Sequence, residues 1–340
     1  MKKMLIGAGI IPFALMTASA GELTLQNAFP KVIPMVGPSA DYFAERVRVG
    51  TGGELDFRHY GAGELSPPAE IVDNVGSGAL DAGWSYAAYT AGKAPAVTLF
   101  GSIPFGPDAQ KYLAWVHHGG GLELWREIYA PFNVVPMPCG VTLPEAGGWY
   151  SKPIESVDDL RGLKIRIGGI GGKVLAKLGA SAQSLPTGEL YTSLETGRLD
   201  ATEFSFPEVD QLLGFEKIIK NYYFPGWHQP AGLVELTINK DLWESWSDDQ
   251  HMVIDMACKA TSAEFLQRHA AKQHEALTKF ENAGVTIRRF PDEVLVALKA
   301  AAVEVFAEEA AAEPMFKKIY DSYQAFSGNY DSYQLRNRLQ

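Results

Sequence analysis

Leu163-Lys-Ile-Arg-Ile-Gly-Gly-Ile-Gly-Gly-Lys-Val-Leu-Ala-Lys-Leu-Gly179 is the stretch on which the fold turns. Leu163, Ile165 and Ile167 alternate with Lys164 and Arg166, the period of a strand with one buried face. The Gly168 to Gly172 run ends that strand before a helical pattern at Val174, Leu175 and Leu178. Arg166 therefore falls at the last turn of a strand. In open α/β sheets ligands collect beyond the carboxyl ends of the strands, where glycines admit a ligand to the backbone and the next helix offers its N-terminal amides. The planar five-donor fork of an arginine there suits a carboxylate or a phosphate. It would serve equally as a surface residue paired with a neighbouring acid. Two nucleotide motifs fail on spacing. A phosphate loop needs Ser or Thr after Gly-Lys and a glycine at position 167, where Val174 and Ile167 stand, and the dinucleotide fingerprint needs a glycine at position 174.

Working outward, the chain starts with Met1-Lys2-Lys3, an apolar run from Met4 to Met16, and Thr17-Ala18-Ser19-Ala20. A basic head, an apolar stretch too short to span a bilayer and an Ala-x-Ala site predict a secretory signal peptide over residues 1–20, so the mature chain is expected in the periplasm. Later stretches are not long and apolar enough to predict membrane insertion of the mature chain. The formal charge of −10 becomes −12 once Lys2 and Lys3 leave with the leader. That balance argues against nucleic acid or an anionic membrane surface as partner. With 340 residues, 46% of them hydrophobic, there is material for two lobes with sizeable cores. The two cysteines, Cys139 and Cys258, could pair in an oxidising compartment. Their separation in sequence says nothing of their distance in space, and the expectation is two unpaired buried thiols with no metal resting on them.

From Glu22 the pattern reads strand (Leu23 to Ala28), a loop with Pro30, Pro34 and Pro38, helix (Ser39 to Val49), strand (Leu55 to Tyr60), helix (Pro68 to Ser77) and strand (Asp81 to Ser85). Such alternation predicts a parallel sheet covered on both faces. A repeat sharpens this. Glu70-Ile-Val-Asp-Asn-Val-Gly-Ser-Gly-Ala-Leu-Asp-Ala recurs as Glu189-Leu-Tyr-Thr-Ser-Leu-Glu-Thr-Gly-Arg-Leu-Asp-Ala. Each copy reads as a helix, a glycine C-cap and entry to a strand, so two similar lobes are expected, although Gly-x-Leu-Asp-Ala is in part generic capping chemistry. Val134 to Pro138, Gly147 to Tyr150 and Leu233 to Asn239 read as crossing or hinge strands. Beyond Asp241, Leu242 to Ala283, Pro291 to Ala312 and Met315 to Phe326 carry helical spacing, with a strand from Val285 to Phe290 between them.

No catalytic set emerges. Gly83-Trp84-Ser85-Tyr86-Ala87 lacks the second glycine of a nucleophile elbow and reads as a buried strand. Adjacent His117 and His118 point apart on a helix and cannot share a zinc in the usual i, i+4 manner, and His269 and His274 fall on a helix expected to face solvent. A set of cleft residues does emerge. Glu203 and Phe204 follow Leu199-Asp200-Ala201 at or just past a strand end, and the matching place in the first copy is Trp84 to Tyr89. Tyr222, Tyr223, Phe224 and Trp227 precede His228-Gln229-Pro230. Tyr222 and Tyr223 are expected in the core, and Trp227 could belong to core or cleft. A buried Glu203 would need Arg166 or a cation as partner.

Trp115-Val-His-His-Gly-Gly-Gly, Gly147-Gly-Trp, Gly162-Leu-Lys-Ile-Arg166-Ile-Gly-Gly, Leu199-Asp-Ala-Thr-Glu203 and Tyr223-Phe-Pro-Gly-Trp227 together make the chain resemble the extracytoplasmic solute receptors of tripartite ATP-independent periplasmic (TRAP) transporters. The resemblance is closest to the branch that binds 2-oxo acids with a metal ion. It implies an α/β, two-lobed periplasmic binding protein fold with hinge strands and bracing C-terminal helices: residues 21–146 mainly in lobe I, 147–230 mainly in lobe II, and 231–340 completing both. It implies a small carboxylate ligand, delivery to TRAP membrane permease subunits, no enzymatic role and no organic cofactor. By position, Arg166 matches the arginine that pairs the ligand carboxylate, Tyr89 a cleft tyrosine, Glu203 a metal-ligating glutamate, and Phe204 a residue offering the metal its backbone carbonyl. Trp227 is carried as a further cleft contact. Glu145 stands where the branch has glutamine, and Gln229 where it has glutamate. The exchange keeps two glutamates and one glutamine, so Na+ or Ca2+ is expected still to bridge to the ligand. The rival expectations are that Glu145 instead accepts from a ligand hydroxyl or amine, and, in another class, that the chain is an exported enzyme acting on a small carboxylic acid with Glu145 or Glu203 as base.

Overall fold

The structure, a computed structural model, describes residues 21–185 and 187–337; the leader read over residues 1–20 lies outside them. The strands are β1 (Leu23–Asn27), β2 (Phe57–Tyr60), β3 (Ala82–Tyr86), β4 (Val134–Val141), β5 (Gly148–Tyr150), β6 (Lys164–Arg166), β7 (Ser181–Gln183), β8 (Ala201–Thr202), β9 (Asn221–Phe224), β10 (Leu233–Asn239) and β11 (Thr286–Arg289). They form two sheets, ordered β2-β1-β3-β10-β4 and β11-β9-β5-β8-β6-β7.

The strand-helix alternation predicted a parallel sheet, but neither sheet is wholly parallel. β10 runs antiparallel to β3 and β4, and β5 antiparallel to β8 and β9. Both follow a strand of the other sheet directly, with no helix between. Their neighbours end at the junction between the sheets, whereas these two begin there, so their direction is reversed. The crossings themselves are the short segments 142–147 and 225–232, and they run side by side. Thr142 N donates to Gly232 O at 2.8 Å, Glu145 N to Gln229 O at 3.1 Å and Gly147 N to Tyr223 O at 2.7 Å.

The repeat is a structural unit in each sheet. After the helix Ile71–Gly76, Gly78 takes φ +78° and Leu80 N closes on Asn74 O at 3.0 Å. After the helix Thr187–Glu195, Gly197 takes φ +71° and Leu199 N closes on Ser193 O at 2.9 Å. The aspartates that follow do the same work. Asp81 accepts from the Thr24 amide of β1 at 2.7 Å, and Asp200 from the Lys164 amide of β6 at 3.0 Å.

Leu242 to Ala283 is divided among three helices, Lys240–Glu244, Asp248–Ala270 and Gln273–Asn282. The last helix, Pro314–Asn337, continues past Gly328, where the sequence pattern had given no assignment. The long helices tie down both halves. Lys173 and Lys177 on the helix Gly169–Lys177 pair with Glu309, Glu304 and Glu308 of the helix Asp292–Ala312. Lys111 and Glu127, on helices beside the first sheet, pair with Asp331 and Lys318 of the last helix.

Cys139 and Cys258 form a disulfide, contrary to the expectation of free thiols. The helix Asp248–Ala270 buries Ile254, Ala257 and Cys258 with Met137 and Cys139 of β4 in the core of the first sheet. That packing brings together sulfurs separated by 119 residues of chain. His269 also departs from expectation. It lies buried at the far end of the same helix, with Nδ1 at 2.6 Å from Glu208.

Candidate functional site

Arg166 is the last residue of β6, as its sequence predicted. Gly169, at φ +59°, makes the left-handed turn that starts the helix Gly169–Lys177 directly after it. The neighbouring strand β8 stops at Thr202, and Glu203 N donates to Arg166 O at 3.2 Å, so the two strand ends leave the sheet together. Arg166 Nη1 donates to both Glu203 Oε1 and Glu203 O, each at 2.8 Å. Its guanidinium carbon sits 5.6 Å from the centre of the Phe204 ring. Arg166 Nε is buried and makes no hydrogen bond within the protein.

Glu145 and His228 come from the two crossing segments. His228 Nε2 lies 3.1 Å from Glu145 Oε2 and 3.4 Å from Glu203 Oε2. Gln229 Nε2 donates to Glu145 Oε1 at 2.7 Å and to the Tyr86 hydroxyl, at the end of β3, at 3.3 Å. Gly226 lets the crossings approach this closely, since a Cβ there would fall 2.1 Å from Glu145 O. Glu145, Glu203 and His228 are 6–7% exposed, so the charges face one another rather than water.

Burial sets the protonation first. It pushes Glu145 up to about 7 against the pull of His228. It would also raise Glu203, but Arg166, His228 and the Gly168 amide outweigh it and hold that carboxyl below the usual range. Burial works against a charged His228 as well, yet the two carboxylates win and lift it to about 9. The centre thus prefers positive charge between Glu145 and Glu203.

Of the residues singled out from sequence, Arg166, Glu145, Glu203, Phe204 and Gln229 meet here. Trp227 is buried beside them, stacked on Phe105 at 5.8 Å, and its carbonyl accepts from the Phe105 amide at 2.7 Å. Tyr89 is half-exposed, 5.7 Å from Phe29 between ring centres, and feels the charges of Arg166 and Glu203, which act in opposite senses on its hydroxyl. Tyr222 and Tyr223 are core residues, as expected. Sequence reasoning missed His228. The available signal was its place between Trp227 and Gln229, but a lone histidine carries no spacing motif. Among the described residues, the ligand atoms of Glu145, Glu203 and His228 form the one group of three within 4.8 Å of one another. Two carboxylates, an imidazole and the nearby Gln229 amide make a donor set that fits a cation.

Known proteins share this architecture. The family model for "Bacterial extracellular solute-binding protein, family 7" (DctP) matches residues 33–313. A monocarboxylate 2-oxoacid-binding periplasmic protein of Nostoc is 35% identical over 300 residues, 88% of this chain and 82% of that protein. A TRAP transporter solute-binding protein of Bordetella bronchiseptica, with calcium and picolinate in its active site, superposes with a TM-score of 0.89 at 34% identity, covering 94% of this chain and 95% of its own. A TRAP periplasmic solute-binding protein of Pseudoalteromonas atlantica with bound sodium and pyruvate gives 0.88 at 32% identity, covering 94% and 97%. Among the described residues no helix is long and apolar enough to cross a membrane. The chain belongs to extracellular solute-binding protein family 7, the DctP family of TRAP receptors.

Proposed function

We propose that this chain captures a small 2-oxo or 2-hydroxy carboxylate in the periplasm and delivers it to a TRAP permease. The observation that carries this is the Arg166 guanidinium. Nη1 is spent on Glu203, while the buried Nε has no partner and offers a donor for an incoming carboxylate. Such charge-assisted bonds contribute roughly 1.5–3 kcal/mol each. Glu145, Glu203 and Gln229, with the Phe204 carbonyl, would hold a cation. When bound, it supplies a positive centre that a 2-oxo or 2-hydroxy oxygen can approach together with the carboxylate.

Lobe I is taken as residues 21–146, lobe II as 147–230, and residues 231–340 as completing both, with residues 1–20 removed on export. Arg166, Glu203 and Phe204 then belong to lobe II, whereas Tyr86 and Tyr89 belong to lobe I. A ligand gripping Arg166 and screened by the lobe I aromatics favours the closed state by its differential affinity for that state, and the permease can distinguish the two shapes.

The test is thermal shift of metal-stripped and metal-restored protein against 2-oxo, 2-hydroxy, amino and aromatic acids, since binding to the folded state appears as added stability. Stabilisation by 2-oxo or 2-hydroxy acids supports the assignment. Silence across the panel, or stabilisation by amino acids alone, overturns it.

A further inference from the structure

We propose that a cavity between the last two long helices and the first sheet is a second ligand site, suited to a small carboxylate with a flat apolar body, and that its occupant is felt in the cleft through Phe105. The cavity has a volume of about 350 Å3, and none of the charged cleft residues lines it. Its walls come from the segment 103–106 with Lys111, from the helix Asp292–Ala312 and from the helix Pro314–Asn337. The first of these helices is pinned to the helix Gly169–Lys177 of the second sheet by Lys173 and Lys177. The last helix is pinned beside the first sheet by Lys111 and Glu127. The cavity thus has a wall fixed to each half of the molecule.

The lining sets the ligand's chemistry. Phe306 and Tyr320 stack with ring centres 4.6 Å apart, and with Phe105 they give the cavity flat aromatic surface. Among the described lining residues Asp331 is the one acid, set against Lys111 and Lys299, so positive charge is in excess. Lys111 is 9% exposed, and its ammonium donates to the two Asp331 oxygens at 2.8 and 2.9 Å. An ammonium has three donors, which leaves one for an incoming oxygen. Lys299 is exposed at the mouth and makes no ion pair or hydrogen bond among the described residues. A carboxylate in the cavity is attracted by both ammonium groups, whereas a cation is repelled.

Phe105 is shared between this cavity and the crossing segment 225–232. Its φ of +53° is costly for a bulky residue, so its place is imposed by what holds it. Its amide donates to Trp227 O at 2.7 Å and its ring stacks on Trp227 at 5.8 Å, directly before His228 and Gln229, the two residues that hold Glu145. An occupant resting against Phe105 therefore acts on the segment that shapes the cleft, and the cleft ligand acts back on the cavity by the same factor.

The experiment titrates the mature protein by calorimetry with indole-3-acetate and, separately, with tryptamine, which carries the same ring and the opposite charge, for wild type, Lys299→Glu and Lys299→Arg. The Kd of the stabilising 2-oxo or 2-hydroxy acid is then measured with and without saturating indole-3-acetate. The expected result is that indole-3-acetate binds wild type and tryptamine does not. Lys299→Glu should weaken indole-3-acetate by at least about tenfold and Lys299→Arg should restore it, with the melting temperature and the cleft acid's own Kd as in wild type. Saturation with indole-3-acetate should change the cleft acid's Kd by about fivefold or more in wild type and leave it unchanged in Lys299→Glu. Absence of indole-3-acetate binding, equal binding of tryptamine, or binding indifferent to Lys299→Glu overturns the site, the last of these placing the indole acid in the cleft instead. An unchanged Kd for the cleft acid overturns the coupling through Phe105. The titration with indole-3-acetate needs no cleft ligand, so it is decided even where the carboxylate-receptor reading fails.

Discussion

The two copies of the helix-glycine-strand unit lead to opposite surroundings. Up to Asp81 and Asp200 they match bond for bond, each aspartate clamping the amide of the neighbouring strand. Beyond that they part. In the first sheet β3 runs on through Trp84, which is fully buried 5.4 Å from Phe43, and reaches the cleft as Tyr86. In the second sheet β8 stops after two residues and the next side chain is Glu203, turned to Arg166. One unit thus builds both walls, but the second sheet supplies the charge and the first an aromatic wall. The Arg166–Glu203 pair faces the aromatic end of the first sheet, which can approach a bound anion without repulsion, as the proposed closing of the cleft requires.

The severest way to break this comparison is Arg166→Ala. Removing it takes away the donor to the ligand carboxylate, so a loss of about 1.5–3 kcal/mol, roughly tenfold to a hundredfold in Kd, is expected by calorimetry with the stabilising acid, and leaving Glu203 buried without its strongest partner should cost a further ~3–5 kcal/mol in stability read by melting. Unchanged affinity would show that the charged wall is not the binding wall. Replacing both Cys139 and Cys258 with alanine separates stability from binding. The bridge joins β4 of the first sheet to the helix Asp248–Ala270, so melting should reveal about 2–5 kcal/mol of lost stability while Kd stays near wild type. A large change in Kd would place the disulfide in the closing motion instead. Gly226→Ala forces apart the crossing segments that carry Glu145 and His228, and should cost about 1–3 kcal/mol in stability together with weaker binding.

Acidity gives a milder comparison. Glu235 in β10 is buried against the Tyr129 hydroxyl and pushed by burial up to about 8, whereas Asp210, beside Trp149 and Tyr222, is pushed by burial up to about 7. Both keep in the folded state a proton that the unfolded chain sheds near 4. Their contribution is therefore complete only at low pH and is lost as pH rises through 7 for Asp210 and through 8 for Glu235. Through these two groups melting temperature should fall from about pH 4 to about pH 8 and level off above, Asp210→Asn reducing the slope up to about pH 7 and Glu235→Gln removing the part that continues to about pH 8; a profile without that fall would show these carboxyls ionised throughout. The smallest effect belongs to Tyr89→Phe. A half-exposed hydroxyl on the aromatic wall should contribute under about 1 kcal/mol, a few-fold in Kd. A loss as large as that of Arg166→Ala would mean that the first wall, too, holds the ligand by a specific bond.

Much of the frame was legible because it rests on local patterns. Alternation placed Arg166 at a strand end, and the glycines after it had to begin a turn. The repeat marked both sheets because a glycine C-cap and a strand-clamping aspartate are made by residues close in sequence. The reversed strands β5 and β10 were not legible in that way. Alternation reports which face is buried, and direction follows only from where the chain crosses.

The charged centre divides along the same line. Sequence by itself determined which residue types were present: an arginine at a strand end, Glu203 beyond its neighbour, and Glu145 and Gln229 near the crossings. Only the tertiary structure decided that His228 stands between Glu145 and Glu203, that Arg166 is left with an unpartnered Nε, that Cys139 meets Cys258 and that His269 is buried on Glu208. Each of these depends on side chains from segments distant in the chain, and periodicity carries information only about neighbours. Pairing is chosen where the two crossings and the long helix are packed together, because there burial makes an unpartnered charge or thiol costly and proximity supplies the partner.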